Sequence, residues 1–176
     1  MKKLILLLLF ASFSSVAQTI TRTEKITEQT TYVAGKGFEG VIFSADYPAW
    51  IGSSERFTPT LEEIVLVENL LKSSLKEVNK PMINQGSYMG PVIHKRLHKY
   101  QRQYFGYISP KGERMVYVNC NYFRYNFIDR IQGIEQPDDK WKKQQTEVND
   151  GGSYHWQIQV NLTTKELFGL QVNGVA

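Results

Sequence analysis

The 176-residue chain has one cysteine, Cys120, and only three histidines. A lone thiol cannot close an intramolecular disulfide, so a hydrophobic core has to hold the fold together. Catalytic signatures are missing too. There is no Gly-x-Ser-x-Gly elbow and no Glu-containing metalloprotease motif around a histidine. The one Gly pair, Gly151-Gly152, leads into a strand pattern instead of the helix start that a phosphate-cradling loop needs. The apolar run at the start of the chain is too short for an ordinary membrane span, no second such run follows, and no repeat or low-complexity segment is visible.

The start of the chain indicates export. Met1-Lys2-Lys3 is charged, Leu4 to Phe10 is an uninterrupted apolar run, and Ser15-Val16-Ala17 puts small residues where a signal peptidase reads them. Cleavage before Gln18 is expected, with no cysteine there to take a lipid anchor. The mature protein is therefore expected in the periplasm or outside the cell. Loss of Lys2 and Lys3 lowers the formal net charge from +4 to +2. That near balance gives no general reason to expect nucleic acid as a partner. The remaining stretch of about 159 residues suits one domain.

Periodicity organises that stretch. Residues 18–57 read as an exposed N-terminal arm or edge segment with one short strand, Val41 to Phe43. "TPTLEEIVLVENLLKSSLKEVNKP" reads as a helix. Pro59 suits a first helical position if Thr58 caps, whereas Thr60 with Glu63 suits a capping box. Ile64, Val67, Leu71, Leu75 and Val78 form its apolar stripe. "HKYQRQYFGYI" and "ERMVYVNCNYF" read as a hairpin turned by Ser109-Pro110-Lys111-Gly112, with Cys120 as a small buried hydrophobe. "SYHWQIQVNL" and "ELFGLQVNG" read as a second hairpin turned by Thr163-Thr164-Lys165. Between the hairpins, "EQPDDK" suggests an exposed loop and "WKKQQTEV" a further strand.

The expected fold class is α+β, with one amphipathic helix on a curled antiparallel sheet of four or more strands over residues 58–176. That order of elements resembles cystatin-like folds. The wording "YQRQYFGYI…GERMVYVNC…DGGSYHWQIQVNL…VNG" resembles small exported proteins of Bacteroidota with no assigned activity. The protease-binding Gln-x-Val-x-Gly loop of cystatins is not matched by Gln101-Arg102-Gln103-Tyr104-Phe105, so inhibition is not carried over.

Three groups of residues are candidates for function. His94 and His98 lie four apart, as two metal ligands on a helix would, but a third ligand is missing and no metal is expected. Lys95, Arg96, Lys99 and Arg102 form a basic stretch that could meet a protein or an acidic polymer. In "DGGSYHWQIQVNL", Tyr154, Trp156, Ile158, Val160 and Leu162 share one parity, and His155, Gln157 and Gln159 share the other. The second parity is the wet side of a strand, where a binding row would lie. His155 beside Asp150 or Asp129 could in principle act as a base. No nucleophile or oxyanion hole accompanies it, and no cofactor is implied. The expected function is an exported interaction or ligand-binding protein, with protein partners favoured. The alternative is an enzyme of NTF2-like architecture with an acid-base pocket near His155. Phe43, Tyr47 and Trp50 form a reserve surface.

Overall fold

A computed structural model describes residues 19–49, 51, 55–86, 89–123, 131 and 139–175. Three strands, β1 (Ile20–Thr27), β2 (Thr30–Gly35) and β3 (Phe38–Phe43), open the described chain as an antiparallel meander. Next come a two-residue strand β4 (Arg56–Phe57) and the helix α1 (Leu61–Val78). Two hairpins follow, β5 (Tyr100–Ile108) with β6 (Arg114–Tyr122) and β7 (His155–Asn161) with β8 (Glu166–Val172). All eight strands belong to one sheet in the order β1-β2-β3-β5-β6-β7-β8, open between edges β1 and β8, with β4 paired to the far end of β5.

Among the described residues the fold is thus α+β, with one long helix, α1, on a large sheet. The sheet is mixed where an antiparallel one was expected, because β3 runs parallel to β5. Parallel neighbours cannot be joined by a tight turn and need a long crossover. Here the crossover contains α1, which lies across one face of the sheet.

The expected arm is also corrected. Its single short strand, Val41 to Phe43, is the end of β3, and the Thr- and charge-rich residues before it form β1 and β2. The exposed run of β1, with Arg22, Glu24 and Lys25 and two register shifts, is how an edge strand discourages further pairing.

The helix starts where the capping box placed it. The Thr60 hydroxyl accepts the Glu63 N–H at 3.2 Å, and the Glu63 carboxylate accepts the Thr60 N–H at 2.9 Å. Thr60 is the N-cap, so Pro59 precedes the helix. Ile64, Val67, Leu71 and Leu75 are buried on the sheet against Val33, Phe38, Ile42, Tyr104, Val116, Val118, Cys120, Trp156, Ile158 and Val160.

A second core lies on the opposite face. Tyr32, Val41, Phe43 and Phe105 are buried there beneath Tyr47 and Trp141, with Phe43 stacked on Phe105 at 4.4 Å. Phe43 and Tyr47 are therefore packing residues and not a reserve docking surface; Trp50 lies outside the described residues. "WKKQQTEV" is not a strand. After a short 3-10 turn (Asp139–Lys142) it runs irregularly over this face. Its backbone is held by side chains: Gln103 donates to the Trp141 and Gln144 carbonyls, each at 2.7 Å, and accepts the Thr146 N–H at 2.8 Å.

Candidate functional site

The four basic residues separate into three exposed and one buried. Lys95 and Lys99 end two consecutive 3-10 turns, Ile93–Lys95 and Leu97–Lys99, with Arg96 between them, and all three are exposed. Among the described residues no acidic side chain pairs with any of them, and the exposed His98 shares the second turn.

Arg102 is the correction. It is 0% exposed and cannot join a surface patch. Tyr100, Arg102 and Tyr104 share the parity of β5 that faces α1, and β5 is flanked by β3 and β6. The Arg102 Nε lies 3.1 Å from the Glu68 carboxylate of α1, which also accepts the Tyr104 hydroxyl at 2.9 Å. The remaining guanidinium nitrogens donate to the Tyr100 and Leu97 carbonyls at 3.1 and 3.0 Å. Burial pushes the Glu68 carboxyl up, and Arg102 and the Tyr104 hydroxyl pull the other way. Through Leu97, the buried arginine holds the second basic turn from beneath. A glutamate on the apolar stripe of α1 and an arginine on the apolar parity of β5 were the readable signal for this pair.

His94 and His98 sit on separate short turns and not on one helical face. Among the described residues no cluster of three or more His, Cys, Asp or Glu could hold a metal. His94 has another role. The Asn79 side chain donates to the Gln85 oxygen and to His94 Nδ1, each at 2.9 Å, while the Gln85 amide donates back to Asn79 at 2.6 Å. This assignment leaves Nδ1 without a proton. Burial first, then the charges of Lys95 and Lys76, holds the His94 ring below its usual 6.5. The native state therefore binds fewer protons than the unfolded chain below that value. His94 contributes stability that is fully present above pH 6.5 and lost as pH falls toward the lowered folded value. Urea midpoints compared at about pH 7.5 and 5.5 should fall in the native protein and fall less in His94→Gln; identical slopes would disprove the role.

The row on β7 lies where its parity placed it. Trp156, Ile158 and Val160 are buried toward α1, whereas His155, Gln157 and Gln159 are half-buried on the opposite face. Cross-strand pairing extends this row over the sheet. Gln103, Asn119, Gln157 and Gln171 are successive partners on β5 to β8, and Phe105, Tyr117, Gln159 and Phe168 form the next row. A register shift between Gln157 and Gln159 bulges β8 near Gly169, whose φ is 61°.

Two clefts lie over these rows. One of about 400 Å³ is lined by Tyr117, Asn119, Gln157 and the segment from Gln145 to Asn149. Its neighbour, of about 480 Å³, takes in Tyr107, Met115, Gln159, Asn161 and Phe168 with the Ser109 to Glu113 turn. The Tyr107 hydroxyl donates to Gln159. His155 lines neither cleft, and its Nδ1–H donates to the Asn121 side-chain oxygen at 2.9 Å. Asp150 is exposed; Asp129 lies outside the described residues. The sequence reading missed Tyr117, Asn119 and Phe168, because only strand pairing brings them beside Gln157 and Gln159.

Comparison of the chain with protein-family models, with curated proteins and with solved structures finds no match. No activity comes to it by likeness.

Proposed function

We propose that this is an exported interaction protein whose partner is a protein presenting an acidic surface to the turns that carry Lys95, Arg96 and Lys99. The observation that carries this reading is the concentration of exposed cations on consecutive turns with no acidic side chain paired to them among the described residues. Such charges attract and orient an oppositely charged partner more than they stabilise their own fold. Export rests on the Lys2-Lys3, Leu4 to Phe10 and Ser15-Val16-Ala17 pattern, and a mature chain starting at Gln18 would keep all eight strands.

Kinship with cystatin-like folds, or with the small exported Bacteroidota proteins, belongs to this proposal as well. A helix lying across a sheet supports the first, and the parallel pair β3 and β5 weighs against it. The binding reading is preferred to an NTF2-like enzyme because His155 lies outside both clefts and its Nδ1 is engaged by an amide oxygen.

Retention on immobilised poly-glutamate tests the basic turns. Binding should weaken steeply as salt rises through the physiological range, where exposed charges are screened over ~8–10 Å. Reversal of Lys95, Arg96 and Lys99 to glutamate should abolish it. Retention indifferent to both would exclude these turns as the docking surface.

A further inference from the structure

The two clefts on the open face lie outside the basic turns, and their chemistry differs. In the first, Glu147 is the one charged lining residue among those described. Apart from Val148, the rest are neutral hydrogen-bonding groups beside Tyr117, a side chain pushed up to about 12 by burial and then by Cys120 and Glu147, so its hydroxyl stays protonated. Among the described residues the Tyr117 hydroxyl, the Asn119 oxygen and the Gln157 oxygen have no partner, although Asn119 donates to Gln103 and Thr146 at 3.0 and 2.8 Å. Those bonds fix the Asn119 amide, so its oxygen is oriented before any ligand arrives.

In the second cleft Phe168, 41% exposed, stands opposite Gln159 on the neighbouring strand. Its charged groups, Lys111, Glu113 and Glu166, are of mixed sign, with all three on turns or a strand end. The register sets Tyr117 directly beside Gln159, so the clefts occupy adjoining rows. From Gln157 to Asn161 the strip runs about 13 Å, at ~3.3 Å per strand residue.

We propose that this strip binds a neutral oligosaccharide along β6 and β7. A sugar hydroxyl both donates and accepts, and a pair of neighbouring hydroxyls matches the paired oxygen and NH₂ of a Gln or Asn side chain. The C–H face of a pyranose ring is apolar and covers an exposed aromatic such as Phe168. Among the described residues an anionic polymer has no cationic lining to meet in the first cleft. An extended peptide is recognised chiefly by pairing its backbone to a strand edge, whereas the strip lies on a sheet face. The site is independent of the basic turns, so the two can fail separately.

Isothermal titration of the full chain with hexasaccharides of β-1,4-glucose, β-1,4-xylose, β-1,4-N-acetylglucosamine and α-1,4-glucose tests the proposal. At least one should bind with Kd below about 1 mM, and raised salt should leave the affinity unchanged. Gln157→Ala and Tyr117→Phe should each weaken binding roughly tenfold with the urea midpoint within error, since neither changes a fully buried group. Reversing Lys95, Arg96 and Lys99 should leave it intact. No binding by any of the four sugars at about 10 mM would overturn the proposal. Sugar binding indifferent to both substitutions would do so as well. So would a neutral Ser/Tyr/Gly decapeptide that binds with this mutational pattern while the sugars do not.

Discussion

Arg102→Met should lower stability by about 3–5 kcal/mol in a denaturant melt, because it leaves the Glu68 carboxylate buried without its counter-charge. The loss should be far larger than for any of the exposed neighbours Lys95, Arg96 or Lys99, whose removal is expected to stay within about 0.5 kcal/mol. Methionine keeps much of the volume, so the difference reports charge and hydrogen bonding more than a cavity. Adding Glu68→Leu should recover most of the loss, since a buried ion pair replaced as a whole by apolar residues is often neutral or better. The Tyr104 hydroxyl, which donates to Glu68, would then lose its acceptor and keep the recovery incomplete. If the single and double variants were equally unstable, the pairing of Arg102 with Glu68 would not be what holds them. The single variant also removes the hydrogen bond to the Leu97 carbonyl, so amide exchange across Leu97 to Lys99 should quicken.

Trp156→Ala should cost ~3–5 kcal/mol, and Gln157→Ala no more than about 0.5 kcal/mol. Trp156 is fully buried, lies edge-on to Tyr100 at 5.5 Å between ring centroids, and pairs across the ladder with Cys120. Gln157, one residue on, faces the first cleft. Comparable losses in the two melts would mean that the faces of β7 are exchanged.

What was legible in the sequence was local. The α1 capping box, the apolar stripe, both hairpin turns and the two faces of β7 each depend on residues within a few positions of one another, and each stands where it was read. Non-local pairing was not legible. Nothing in "FEGVIF" announces a parallel partner in "YQRQYF", and β1, "ITRTEKIT", has the composition of a solvated segment because one of its edges is unpaired. "WKKQQTEV" alternates enough to suggest a strand, yet its backbone groups are satisfied by Gln103 and Asn119 in place of a ladder. Arg102 was misplaced because its neighbours in sequence are basic and exposed. Its partner Glu68 is on another element, and only packing α1 on β5 brings the two together. For the open face, β7 showed which of its own residues were wet. The aromatic and amide groups beside them come from β5, β6 and β8.

The parallel seam between β3 and β5 also sets an order of events. β3 leaves the ribosome well before β5 does, and the two can align only after the intervening chain has closed a loop over the sheet. Until then the meander has no neighbour for β3, and Val41 and Phe43, destined for the second core, face water. A nascent or translocating chain halted between Phe43 and Tyr100 therefore presents an uncovered, largely apolar strand edge, the kind of surface that recruits holding chaperones or seeds association. Deleting residues 19–43 would reverse the exposure and turn β5, a strand of the sheet interior, into a partly bare margin. Such a truncated protein is expected to aggregate and not to survive as a smaller soluble core.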